Sequence, residues 1–563
     1  MESHASDGSS SPHDGIRTSD SKTQRTEPEE GLVGANREKM SSIQTRFNYI
    51  EGTQFYLLSA CIAIMMFMTN LEVPVVTTAL VAISNDLGEF ENIPWVVASY
   101  LLGYVAVIVI CAKFSDIFSR KIVFMLSTAV FIIFSAACAA AQTVIQLIIF
   151  RAFQGVGGGG CFSLCTIMVI EIVPPEKYTA YVSNISIVNA LSLLLGPIIG
   201  GAIAANTTWR WIFIINIPIA LPALAISWFA MPNDFPYQGL PEHHPAAKPS
   251  TLAKSTMSRI DFPGTILILL ATLGLTAGFE EAGRRFPWRS GYVISLLTIS
   301  GLLWIVLLLW ERYVTHSNKV REPVLPWRFF KNREMMGILL NFFFLGGPTI
   351  IGMFIIPQRF QLVYQTSGLD AGVRLMPFTI MIPIGSIFAS ILAGKHKIPA
   401  LYLVIAGSVL QVIGFALLST LSTSLSIPSE IYGYEIIAGW GCGMNFSLLF
   451  IMIPHVNDDQ DRAVGMGAGA QIRMIGSTIV LAISTSIFNS YTGPRLEDIL
   501  GSSESEWLLS SGDAINSLSP RIQDMVRHVL ADGYNWQMLV LCISAALQIP
   551  SSLLMWRKKN ITI

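Results

Sequence analysis

Residues 189–218 read NALSLLLGPIIGGAIAANTTWRWIFIINIP. An apolar run carrying Gly196-Pro197 and Gly200-Gly201 meets a short polar break, then Trp209-Arg210-Trp211, then a second apolar run. The first run is long enough to cross a bilayer, for which about 20 apolar residues suffice. Pro197 removes a backbone donor and bends its helix, while the glycine pair lets a neighbouring backbone come close. Trp209, Arg210 and Trp211 suit a membrane–water interface, where an indole ring sits half wet. The stretch therefore predicts a helical hairpin in a membrane.

Composition extends that reading to the whole chain. Of 563 residues, 52% are hydrophobic and 13% charged, against about 25% charged in a typical soluble domain. The expected fold class is an all-α membrane protein. A net charge of −1 gives no basic field for nucleic acid. The seven cysteines fall within or at the edge of apolar runs, so no disulfide framework is indicated. Cys161 and Cys165 share a helix face without a nearby His or acid, so neither a metal site nor a cofactor is expected. HExxH, the nucleophile elbow and the Walker lysine are all missing, which argues against an enzyme.

Fourteen apolar runs follow one another, the last two at 464–488 and 535–556. An even number puts both termini on one side. With the amino-terminal tail taken as cytoplasmic, cytoplasmic segments hold about 25 of the 36 Lys and Arg residues, the bias expected of that side. External segments hold eight, among them Arg210, Arg359 and Arg527. Both termini are thus expected in the cytoplasm. Residues 1–50 are polar and predict a disordered tail. With no apolar core after a basic start, they are not expected to act as a cleavable signal peptide. Residues 489–534 predict a large external loop, and Asn206-Thr207-Thr208 is a glycosylation sequon close to the outer surface.

The pattern GPxxGG followed by WRWxFxxNxP resembles the fifth and sixth helices of the fourteen-spanning drug:proton antiporters of the major facilitator superfamily. The resemblance implies two six-helix bundles plus an inserted helix pair. The divisions are a tail over 1–50, a first bundle over 51–231, a linker over 232–260 and the inserted pair over 261–312. Helices 9–13 follow over 313–488, then the loop over 489–534 and the last helix with its cytoplasmic end over 535–563. A faint repeat agrees: CAKFSDIFSRK between the second and third runs has a counterpart in AGKHKIP between the tenth and eleventh. Arg259-Ile-Asp261-Phe-Pro-Gly264 opens the seventh run, as in the fourteen-span group.

The same resemblance supplies the candidate residues. AKFSDIFSRK is similar to the loop motif GxLaDrxGrk, with Asp116, Arg120 and Lys121 matching. It implies a charged latch between the bundles, weakened because Ile117 stands where an Arg is usual. Gly196, Pro197, Gly200 and Gly201 form the antiporter motif, read as a conformational hinge. LIIFRAFQGVGGG matches lxxxRxxqGxgg and places Arg151 inside a run, where an unpartnered arginine costs about 2.5–3.5 kcal/mol. In the family this arginine is implicated in proton coupling. The alternative is that Arg151 snorkels to the surface. NLEVPVVTTAL resembles lDxTIVxxALP, with Glu72 at the acidic position. Loss of water disfavours a charged carboxyl there, which makes Glu72 the leading proton carrier, a structural bridge to Arg151 being the alternative. Both lie about 10–13 Å from the outer helix ends at 1.5 Å per residue. Gln154, Asn189, Glu435, Asn445, Gln471 and Arg473 are candidate cavity residues, or else ties between helices.

The expected function is proton-coupled export of small, mostly apolar organic compounds such as toxins, secondary metabolites or drugs, by alternating access. Its partners would be the small-molecule substrate, protons and the lipid bilayer, and a monomer is expected. The expected location is the plasma membrane, with the vacuolar membrane as alternative. Rival readings are a carrier of basic amino acids or siderophores, and a transport-inactive sensor on the same fold.

Overall fold

The computed structural model describes residues 49–87, 93, 95–174, 177–233, 235–236, 259–282, 286–317, 321–458, 461–501, 518–557 and 561. Residues 1–48 of the expected disordered tail, the linker residues 237–258 and the loop residues 502–517 lie outside them. In hydrocarbon no water satisfies the peptide groups, so apolar runs of this length close their hydrogen bonds internally as helices. Fourteen described helices are long and apolar enough to cross a membrane.

The first six are α1 (Gly52–Leu87), α2 (Trp95–Phe118), α3 (Arg120–Ala140), α4 (Val144–Glu171), α5 (Tyr178–Asn206) and α6 (Trp211–Ala230). Next come α7 (Phe262–Glu281) and α8 (Gly291–His316), then α9 (Arg333–Leu362), α10 (Asp370–Gly394) and α11 (Ala400–Ser419). The chain ends with α12 (Glu430–Val456), α13 (Arg462–Leu500) and α14 (Pro520–Leu553). In the first bundle α4 packs on α2 and α3, and α1 on α5 and α6. In the second, α12 packs on α10 and α11, while α9, α13 and α14 pack on one another. The inserted helices α7 and α8 pair together, and α7 leans on α2 and α13. The bundles meet along α2–α13 and α5–α10. Ile294, Ile299, Leu302, Ile305 and Leu309 of α8 remain exposed, the surface a lipid-facing helix presents.

The region expected as a loop over 489–534 is helical at both ends, because α13 runs on to Leu500 and α14 begins at Pro520. Hydropathy falls where Asn489, Arg495 and Glu497 begin, yet outside the bilayer a helix needs only a packing partner. Here Phe488 lies against Tyr534 at 5.1 Å and Tyr491 against Trp536 at 6.2 Å. The opening of α7 is likewise explained by its neighbours. Asp261 caps the helix by accepting from the Gly264 N–H at 3.2 Å, and Trp310 Nε1 of α8 donates to the same carboxylate at 2.9 Å.

Glycines set how closely helices approach. A Cβ on Gly155 or Gly159 of α4 would collide with the Tyr100 or Tyr104 carbonyl of α2, and one on Gly157 with the Phe131 backbone of α3. In the antiporter motif, Gly196 lies against Pro74 and Gly200 against the Val75 carbonyl and the Thr78 hydroxyl of α1. Gly201 has open space where its Cβ would be, so the close approach expected of the pair belongs to Gly200. Gly200→Ala should therefore cost about 1–3 kcal/mol by overpacking. Gly201→Ala should be neutral or stabilising by up to about 1 kcal/mol through helix propensity. Thermal unfolding of the two purified variants side by side checks the contrast.

Candidate functional site

Glu72 of α1 and Arg151 of α4 are 2% and 0% exposed, and Arg151 Nη1 donates to Glu72 Oε1 at 2.5 Å. Most of the remaining polar atoms of the two groups are also engaged. Gln154 Nε2 donates to Glu72 Oε1 at 2.9 Å and to Ser135 Oγ of α3 at 2.8 Å. Asn216 Nδ2 of α6 donates to Glu72 Oε2 at 2.8 Å. Arg151 Nε donates to the Val96 carbonyl of α2 at 2.9 Å, and its guanidinium lies 4.3 Å from the Tyr100 ring centre. Helices α1, α2, α3, α4 and α6 thus converge on one ion pair. Arg151 does not reach for the helix end. Its Nη2 stays buried without a hydrogen-bond partner.

Between the bundles lies a cavity of about 180 Å³. Tyr100 stands in its wall, so the same ring touches the cavity on one side and Arg151 on the other. The Tyr100 hydroxyl donates to the Thr69 carbonyl of α1 at 3.3 Å. From the first bundle the wall also takes Asn70 and Asn189, joined at 3.1 Å. From the second it takes Thr349, Met353 and Phe354 of α9 and Arg473 of α13. In α9 the wall includes a π turn, Gly347–Ile351, where Pro348 has no N–H to donate.

Of the candidate cavity residues, Asn189 and Arg473 line this wall, whereas Gln154, Glu435, Asn445 and Gln471 do not. Gln154 is taken up by the ion pair. Asn445 donates to Ser408 Oγ and to Gln548 Oε1, each at 2.8 Å, tying α12 to α11 and α14. Gln471 accepts from the Val109 N–H of α2 and donates to Thr272 Oγ1 of α7, both at 3.0 Å. Glu435 is fully buried in α12 with both carboxyl oxygens unpartnered among the described residues. These polar groups fasten helices or sit in the core, on helix faces turned away from the cavity.

The charged turn between α2 and α3 carries ion pairs of its own. Asp116 pairs with Arg120 at 2.5 Å, and Arg120 pairs with Glu171 at 2.8 Å. Lys121 forms no ion pair among the described residues. One link out of the bundle is Lys113, whose Nζ lies 2.6 Å from Glu322 in the segment between α8 and α9. Arg259 reaches the same carboxylate at 2.6 Å. On the same face, Ser183 and Ser186 of α5 hydrogen-bond the hydroxyls of Ser390 and Ser386 of α10 at 2.9 and 3.0 Å. At the opposite end, Trp209 Nε1 and Arg210 Nη1 both donate to Asp86 Oδ2 at 2.9 Å, clamping the α5–α6 turn to the end of α1.

Sequence reasoning passed over Asn216, Tyr100, Ser135, Lys113 and Glu322. Asn216 was within reach, since it is the Asn of WRWxFxxNxP. The others are ordinary residues whose roles exist only in three dimensions.

A family model described as Major Facilitator Superfamily matches residues 57–283 and 263–481. The chain is 39% identical over 507 residues to the MFS-type transporter FPY5 of Fusarium mangiferae, covering 90% of this chain and 84% of that one. It is 30% identical over 465 residues to Multidrug resistance protein 3 of Bacillus subtilis, covering 82% and 85%. To the efflux pump FUS6 of Gibberella fujikuroi it is 28% identical over 510 residues, covering 88% of each. Solved structures with a similar fold include the human organic anion transporter MFSD10 (TM-score 0.54, 13% identity, 88% of this chain and 100% of that one). The proton:xylose symporter XylE follows (TM-score 0.52, 12% identity, 90% and 95%). At such identity the likeness shows the fold alone.

Burial works to raise the Glu322 carboxyl, but Lys113 and Arg259 outweigh it and hold the group below the ordinary carboxylate range. A depressed carboxyl stabilises the fold above its unfolded value, about 4.3, and loses that contribution as pH falls through the lower folded value. Glu322→Gln should cost about 1 kcal/mol near neutrality, the scale of a pair with one partly exposed partner. The gap in melting temperature from the parent should close on acidification below about pH 4. Thermal unfolding across a pH series measures both.

Proposed function

The chain belongs to the major facilitator superfamily and is a multi-pass membrane transporter, and from that premise we propose that it exports small organic molecules in exchange for protons. The observation that carries this reading is the Glu72–Arg151 ion pair at 2.5 Å, buried one ring away from the central cavity. A proton on Glu72 cancels one charge of the pair and leaves the Arg151 guanidinium without its counter-charge. Arg151 must then seek new partners, and Tyr100 carries its displacement to the cavity wall. Unloading Glu72 restores the pair. Two stable arrangements of one buried cluster are what alternating access requires.

The face bearing the α2–α3 turn is assigned to the cytoplasm by its Lys and Arg content. There Lys113–Glu322 and the α5–α10 serine contacts hold the bundles together, so rocking outward and inward means making and breaking them. The driving force is adequate. One proton crossing 100 mV yields about 2.3 kcal/mol and one pH unit about 1.4. Their sum, about 3.7 kcal/mol, sustains roughly a 500-fold gradient of a neutral substrate in one-for-one exchange. Relatives named efflux pumps and multidrug resistance protein support outward transport. A carrier of basic amino acids fits less well, because the cavity wall carries a cation, Arg473, and a single acid among the described residues, Glu280.

In sealed vesicles, Glu72→Gln should abolish efflux driven by an imposed pH gradient. It should leave exchange of labelled for unlabelled substrate at equal pH largely intact, because the binding cavity is untouched. Unchanged pH-driven efflux in the variant would remove Glu72 from the mechanism.

A further inference from the structure

Arg473 is 6% exposed and stands in the wall of the central cavity. Its Nε is buried without a hydrogen-bond partner, and among the described residues it forms neither an ion pair nor a side-chain hydrogen bond. What it touches is the Phe446 ring, 5.3 Å from its guanidinium carbon. Among the described residues every other cation buried to this degree has an assigned partner. Arg151 has Glu72, Arg120 has Asp116 and Glu171, Lys113 has Glu322, and Arg359 donates to Asn535 Oδ1 at 2.6 Å.

The backbone around Arg473 is fixed. A Cβ on Gly346 of α9 would collide with the Arg473 carbonyl, so α9 and α13 are in direct contact at this level and the side chain projects from a rigid base. Ser477 lies one turn further along α13 in the same wall, and Tyr104 of α2 stands in the first bundle's part of it. Met353, Phe354 and Met474 supply soft apolar surface beside them. Glu280, in the last turn of α7, is the other charged residue of the wall among the described residues.

An arginine removed from water without a counter-charge is costly, and its planar fork matches a carboxylate with two parallel hydrogen bonds. We propose that the cargo is an amphipathic organic anion, an apolar body bearing one carboxylate or comparably acidic group, and that Arg473 is the anchor for that group. This rests on the exporter reading above and narrows its substrate class from apolar compounds to apolar acids. It has an electrical consequence. Exchange of one inward proton for one outward monovalent anion moves two charges across the membrane, whereas a neutral cargo moves one.

The test uses the purified full-length protein and matched pairs of aromatic and long-chain aliphatic carboxylic acids with their primary amides. Binding is read as the rise in melting temperature on titration. Acids should bind the parent about tenfold or more tightly than their amides, the discrimination given by a charge-assisted hydrogen bond. Arg473→Gln should lose that preference, while Arg473→Lys should keep part of it, a lysine being a charge without the fork. The proposal is overturned if amides bind as well as acids, if Arg473→Gln still prefers acids, or if no acid in the series binds. Reconstituted vesicles separate this from the exporter reading. Acids that bind through Arg473 but are not moved by a pH gradient leave the anchor standing and remove the exporter. Amides moved as fast as acids, by parent and Arg473→Gln alike, do the reverse. For transported acids, an inside-negative potential should accelerate efflux more than for the paired amide.

Discussion

A single buried charge pair, Glu72 with Arg151, constrains the first bundle more than any apolar contact in it. Neither group reaches water, so the chain must supply what solvent would have supplied, and it does so from five helices. The glycines of α4 belong to the same solution. They let α2 come close enough for the Val96 carbonyl and the Tyr100 ring to reach the arginine. A bundle assembled this way is tied together at its centre, and on the proposed mechanism one proton there would loosen it.

That centre and the cargo space are separate but share a wall. Tyr100 belongs to both, and the cavity itself is apolar apart from a few asparagines, hydroxyls and two charged side chains. Separation has a use. On the proposed mechanism cargo need not touch Glu72, so molecules of different shape can occupy the cavity while the ion pair stays dry. Of the inserted pair, α7 leans on α2 and α13 and lends Glu280 to the cavity wall, while none of the cavity-lining residues belongs to α8.

The fold was legible because the bilayer admits so few solutions: fourteen long apolar runs must be helices, and GPxxGG with WRWxFxxNxP marks the architecture. The ion pair was nearly legible, since Glu72 and Arg151 stand out as charges in oil at similar depth. Less visible were the partners that are ordinary in sequence, such as Ser135 and Tyr100, because nothing local distinguishes them from any membrane helix residue. Polar residues inside runs were also ambiguous. Asn445 and Gln471 carry the same signal as Asn189, yet they bolt helices together while Asn189 faces the cavity. Helix rotation decides between the two, and fourteen helices can be rotated in too many ways for hydropathy to choose. The ends of α13 and α14 escaped for another reason: outside the bilayer their helicity depends on each other and not on oil.

The π turn of α9 has a geometric consequence. An ordinary helix advances 100° per residue, so neighbours along the chain look in different directions. Widening one turn slows that rotation, and Thr349, Ile350 and Ile351 all contribute to the same wall. The outer half of α9 is thereby re-phased against its inner half, like a screw with one wide thread. Three consecutive side chains of one helix can therefore face the chamber together, where a regular turn would have sent the middle one elsewhere.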